Sequence, residues 1–144
     1  MPWHVLWSGQ FKFFIMQFIP TRVHGILDYT VGAILAAAPW LFQFNRGGAE
    51  TWVPVILGAG AIVYSLFTNY EWGVLRRIPM PAHLTIDLLS GILLAASPWI
   101  FGFANYVYLP HLIFGILEIG VSLMTKRYPE GLRHITGRQI TAAA

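Results

Sequence analysis

Four long apolar runs, each interrupted by few polar residues, alternate with short segments that hold most of the charge. A helix that crosses a bilayer needs about 20 mostly apolar residues. Residues 22–44, 52–70, 81–103 and 107–125 have that length and character. The pattern therefore predicts an all-α, four-span transmembrane helical bundle, with a further amphipathic, interfacial segment over residues 1–20, where aromatic residues surround Lys12.

The runs repeat. Residues 24–44 align with 83–103 at an offset of 59 without a gap, and 10 of 21 positions are identical. The identities include His24/His83, Asp28/Asp87, Gly32/Gly91, Ala36/Ala95, Pro39/Pro98 and Trp40/Trp99. The second and fourth runs match at an offset of 57, through Gly58/Gly115, Ser65/Ser122 and Thr68/Thr125. A fixed-period repeat marks one structural unit used twice. The expected organisation is thus a first hairpin over 21–70, a loop over 71–80, a second hairpin over 81–125 and a basic tail over 126–144. Two spans per repeat keep both hairpins in one orientation, which implies a parallel repeat about a pseudo-two-fold axis along the membrane normal.

On a helix, His24, Asp28, Gly32, Leu35, Ala36, Pro39 and Phe42 fall within an arc of about 120°. This stripe mixes polar, small and aromatic groups, unlike a face presented to lipid, so the first and third spans are expected to pack together along it. Gly32-x-x-x-Ala36 and Gly91-x-x-x-Ala95 suit close helix approach. Gly58 and Gly115 are the corresponding small residues on the second and fourth spans. Ala38-Pro39-Trp40 and Ser97-Pro98-Trp99 stand near the outer ends of their helices. There a proline should kink the helix or end it one turn later.

Composition supports the same class: 56% of residues are hydrophobic and 10% charged, against about 25% charged in soluble domains. The pI near 9.5 does not argue for nucleic acid, because the basic residues sit between apolar runs. Lys12, Arg22, Arg76, Arg77, Lys126, Arg127, Arg133 and Arg138 fall on one side and Arg46 alone on the other. Positive residues stay cytoplasmic, which predicts a multi-pass membrane protein with both termini and the 71–80 loop inside. Trp40, Trp52, Trp99, Tyr106 and Tyr108 would then mark the outer interface, and Tyr70, Trp72 and Tyr128 the inner one. With no cysteine, disulfides, thiolate nucleophiles and cysteine metal sites are excluded.

Ionisable groups inside a span are costly and call for a role. His24 and Asp28 are spaced i, i+4, as are His83 and Asp87, so each pair can touch on one helix face. Glu118 has no acidic counterpart, its match being Ala61. It could accept a hydrogen bond from Tyr64 or Ser65, or remain protonated, since burial disfavours a carboxylate charge. The preferred reading of the two pairs is hydrogen-bonded glue between spans, ahead of a proton relay and of a metal site. No phosphate-binding loop, nucleophile elbow or His-Glu-x-x-His motif is present, and no catalytic residue, metal or cofactor is assigned.

Two membrane hairpins with the Pro-Trp signature, complete as Ser97-Pro98-Trp99 followed by Ile-Phe-Gly-Phe, resemble the SPW-repeat family of small prokaryotic membrane proteins. The first copy departs, with Ala38 for serine. An aspartate on the helix before the motif, here Asp28 and Asp87, is shared, but the tryptophans that usually flank it are replaced by histidines one turn earlier. The resemblance covers roughly residues 20–125. It implies the hairpin fold and no specific chemistry. The functional expectation is a structural, interaction or accessory subunit whose partners are the bilayer and a second copy or another membrane protein. The alternatives are a small oligomeric proton-coupled transporter or ion pathway, and an intramembrane metal or redox protein.

Overall fold

The computed structural model describes residues 17–129; the interfacial segment expected over 1–20 lies outside them except for residues 17–20, and the basic tail except for residues 126–129. It contains four helices: α1 (Thr21–Leu41), α2 (Ala49–Phe67), α3 (Met80–Ile100) and α4 (Leu109–Met124). No β-strand occurs among the described residues, which include two single-residue bridges, Ile19 with Thr125 and Thr68 with Ile78. Two helices, α2 and α3, are long and apolar enough to cross a membrane. The 16 residues of α4 reach about 24 Å, short of the ~30 Å hydrocarbon thickness.

Each first helix of a hairpin starts after an extended proline, Pro20 or Pro79, and both stop two residues after their inner proline, at Leu41 and Ile100. These ends lie three residues short of the expected 44 and 103, because the proline breaks the amide ladder and the chain reverses at once. Gln43 and Gly102, 59 positions apart, both take positive φ, 57° and 74°, the left-handed conformation that ends many helices. The amides of Phe44 and Asn45 then return to Pro39 O, as those of Phe103 and Ala104 return to Pro98 O.

The Ser-Pro-Trp motif has a local reason. Pro98 cannot donate to the carbonyl of Leu94, and Ser97 Oγ donates to that carbonyl at 2.7 Å. Ala38 offers no such donor in the first copy.

The closest helix packing is within hairpins, α1 on α2 and α3 on α4. Gly32 faces the backbone of Gly58, and Gly91 that of Gly115. This corrects the expectation that the first and third spans pack along their shared stripe. They stand diagonally opposite, and the glycines serve the antiparallel neighbour, where a missing Cβ lets backbones touch. What α1 and α3 share is a set of polar side chains reaching across the centre.

The hairpins also clasp each other at their ends. Ile19, before α1, donates to Met124 O at the end of α4, and Lys126 N donates to Ile19 O. Ile78, before α3, donates to Phe67 O at the end of α2, and Asn69 N donates to Ile78 O. The two clasps use equivalent positions of the repeat.

Burial is inverted relative to a water-soluble protein. Buried positions include Thr21, His24, Ser65, His83, Asp87, Ser97 and His111, whereas Ile26, Ile56, Val63, Leu89, Ile92, Ile113 and Ile116 are exposed. Trp40, Trp52, Trp99, Tyr106 and Tyr108 are exposed at the end carrying the two hairpin turns. Tyr70, expected at an interface, is instead buried with Met80 and Leu84, because residues 68–79 fold back over the start of α1. Trp72 there donates its indole N–H to Arg22 O at 2.9 Å.

Candidate functional site

On the bundle axis, near the end where α1 and α3 begin and α2 and α4 finish, His24 and Asp28 from α1 meet His83 and Asp87 from α3. Each pair lies one turn apart on its own helix, so both side chains project from the same face. His24 Nε2 lies 3.1 Å from Asp28 Oδ1 and 3.0 Å from Asp87 Oδ2. His83 Nε2 lies 3.1 Å from Asp28 Oδ2 and 3.2 Å from Asp87 Oδ2. The two Nε2 atoms are themselves 3.2 Å apart. Each histidine thus touches the aspartate of its own helix and that of the other hairpin.

Both imidazoles are held from behind by the residue that closes the other hairpin's last helix. His24 Nδ1 is 2.9 Å from Thr125 Oγ1, and His83 Nδ1 is 2.7 Å from Thr68 Oγ1. Each hydroxyl already donates to the carbonyl one turn earlier, Thr125 to Val121 O and Thr68 to Tyr64 O. A hydroxyl has one proton to donate and lone pairs to accept. The threonines therefore accept from Nδ1–H, and the hydrogen-bond pattern fixes Nδ1 as the protonated nitrogen in both rings. This was out of reach of the sequence alone: Thr68 and Thr125 stand out there only as a matched pair.

The carboxylates have outer partners as well. Ser65 Oγ and Tyr70 OH donate to Asp28 Oδ2 at 3.2 and 3.1 Å, and Tyr64 OH donates to Asp87 Oδ1. Tyr64 and Ser65 are thus engaged with the aspartates. That corrects the expectation that either serves Glu118, beside which the structure places Ser90. Glu118 stands apart from the four-residue cluster, on the wall of a cavity of about 80 Å³ that His24, Asp28 and Asp87 also line.

The cavity follows from a break in the repeat. Tyr64 fills the seam between α2 and α3. At the equivalent position of α4 stands the smaller Val121, and Glu118 and Val121 face the resulting space beside α1. His111 lies elsewhere, between the Phe44 and Phe103 rings, with centroids 5.3 and 4.9 Å away. Its Nε2 donates to Glu50 O at 3.0 Å. That carbonyl is free because Pro54, one turn later in α2, has no amide proton.

The prolines and tryptophans of the two motifs lie at the far end of α1 and α3 from the polar cluster, and the glycines lie between. A family model described as the SPW repeat domain matches residues 22–125, and the chain belongs to that family. No curated protein and no solved structure matches it. Family membership and the two long apolar helices together point to a membrane protein.

Proposed function

We propose that this SPW-repeat protein is a four-span membrane protein in which two parallel hairpins are braced by a buried polar centre, and that its role is structural or interaction-based. The observation that carries this reading is the inverted burial: polar and small residues inside, aliphatic residues outside. The organisation would be the interfacial segment 1–20, hairpins 21–70 and 81–125, the loop 71–80 and the tail 126–144. Both termini and the loop would lie on the cytoplasmic side of a prokaryotic cell membrane.

The reading accounts for the helices that are less apolar or shorter. The charged groups His24 and Asp28 of α1 are turned to the centre, so its outward face is mainly aliphatic, with Val23, Ile26 and Ile34 exposed and the Thr30 hydroxyl donating to Ile26 O. A bilayer thins around a short span such as α4 at modest cost. A hydrophobic belt of this kind is covered by lipid, by a second copy or by another membrane protein, and a small braced bundle suits an accessory subunit.

The absence of cysteine makes topology directly testable. Val74→Cys in the 68–79 loop and Asn105→Cys in the α3–α4 turn both place a thiol at an exposed position. An impermeant maleimide should label Asn105→Cys in intact cells and Val74→Cys only after lysis. Labelling of both from one side defeats the four-span reading. The brace is tested by Asp28→Asn with Asp87→Asn, which should lower thermal stability in detergent; full retention of stability and assembly rules the brace out.

A further inference from the structure

We propose that His24, Asp28, His83 and Asp87 form a binding site for one divalent first-row transition-metal ion, of which zinc is the best match. The inference rests on the hairpin brace proposed above but not on membrane orientation.

The first argument is geometric. A tetrahedral ion with ligand distances of about 2.0–2.1 Å sets its donor atoms about 3.3 Å apart. The contacts of the two Nε2 atoms with each other and with the carboxylates run from 3.0 to 3.2 Å. One donor atom from each of the four residues can be chosen so that all lie within 4.8 Å of one another. Asp28 presents a different oxygen to each histidine, so it can bind through either or both.

The second argument is the hydrogen-bond pattern. With each Nδ1 committed as donor to a threonine, a neutral ring would aim its Nε2 lone pair at carboxylate oxygens, which are themselves acceptors. A proton on each Nε2 would satisfy the carboxylates, but would set two like-charged N–H groups 3.2 Å apart. One cation at the centre faces all four donors at once. Two carboxylates with two neutral imidazoles carry the charge that one divalent ion cancels, which a buried site demands.

The third argument is the surrounding shell. Metal-bound histidines almost always donate their other nitrogen to an oxygen, and bound carboxylates are in turn hydrogen-bonded. Thr68, Thr125, Ser65, Tyr70 and Tyr64 supply all of these contacts. A nitrogen–oxygen donor set of this kind suits zinc, with iron and manganese as weaker matches. The cavity beside Val121 reaches the cluster, with Glu118 on its wall.

The full chain, produced with a purification tag free of histidine and kept in mild detergent, gives a clean test. Elemental analysis should find one zinc per chain. Chelator-treated protein titrated with Co²⁺ should develop the intense visible absorption of a tetrahedral site, saturating at one equivalent and reversed by Zn²⁺. His83→Gln and Asp87→Asn should abolish stoichiometric binding, whereas His111→Gln should leave it intact. Thr68→Val should weaken affinity by about 10–100-fold, as removal of an outer-shell partner does.

Folded wild-type protein with no stoichiometric metal and no cobalt spectrum overturns the proposal and leaves the brace standing. So does metal retained in the His24→Gln, His83→Gln double variant. If a ligand variant fails to fold, the wild-type cobalt spectrum decides, and a weak octahedral spectrum counts against the site. Wrong-sided cysteine labelling would defeat the topology without touching the metal.

Discussion

Replacing glycine by alanine at two positions of α2 should have opposite effects. A Cβ built on Gly58 would lie 2.5 Å from Gly32 O and 2.6 Å from Ala36 N. Both neighbours are backbone, so neither can swing away. Ordinary contact begins near 3.4 Å, and α1 and α2 would have to separate by close to an ångström along their tightest contact. Overpacking of this kind costs about 1–3 kcal/mol. A Cβ on Gly60, half a turn away, meets nothing within 4 Å, and alanine there should gain up to about 1 kcal/mol of helix propensity. Gly58→Ala and Gly60→Ala should therefore differ by roughly 2–4 kcal/mol. The second hairpin provides a replicate. Gly115 has Ala95 N at 2.5 Å and Gly91 O at 2.6 Å, whereas Gly120 has open space. Reversible unfolding in mixed micelles, followed by helical circular dichroism against detergent composition, measures all four variants. If Gly58→Ala and Gly60→Ala shift the midpoint equally, or Gly58→Ala stabilises, the glycine seam does not set the hairpin spacing.

Two further substitutions probe backbone carbonyls left free by proline. Ser97→Ala removes the hydroxyl that serves Leu94 O and should cost about 1–3 kcal/mol in the same unfolding assay; no change would mean that the carbonyl needs no partner. His111→Phe keeps the ring between Phe44 and Phe103 but strands the Glu50 carbonyl. It should also cost about 1–3 kcal/mol, and a stabilised variant would show that the link between α4 and α2 contributes nothing.

In the polar cluster, part of the site is legible in the sequence and part is not. The i, i+4 spacing of His24 with Asp28 and of His83 with Asp87 made each pair visible on one helix face, since helical periodicity is a local property. The threonine behind each imidazole was not visible. Thr125 is 101 positions from His24, and their meeting depends on how the two hairpins clasp. Tyr70 departs from its sequence-based expectation for a related reason. An aromatic near a helix end reads as an interfacial anchor, and only the backward fold of residues 68–79 buries it against Asp28.

By itself, the order of residues determined the four helices, the duplication and a break in α1 and α3 near their prolines, while the ends at Leu41 and Ile100 came from the structure. Periodicity, helix-breaking geometry and repeat identity act over a few neighbouring residues. Tertiary structure alone decided which helices touch. The shared stripe suggested α1 against α3, but a stripe says which residues share a face and not what lies opposite. Close approach at Gly32 and Gly58, and at Gly91 and Gly115, drew each helix to its own hairpin partner. That left the two histidines and two aspartates to meet across the diagonal, where a single cation can face all four.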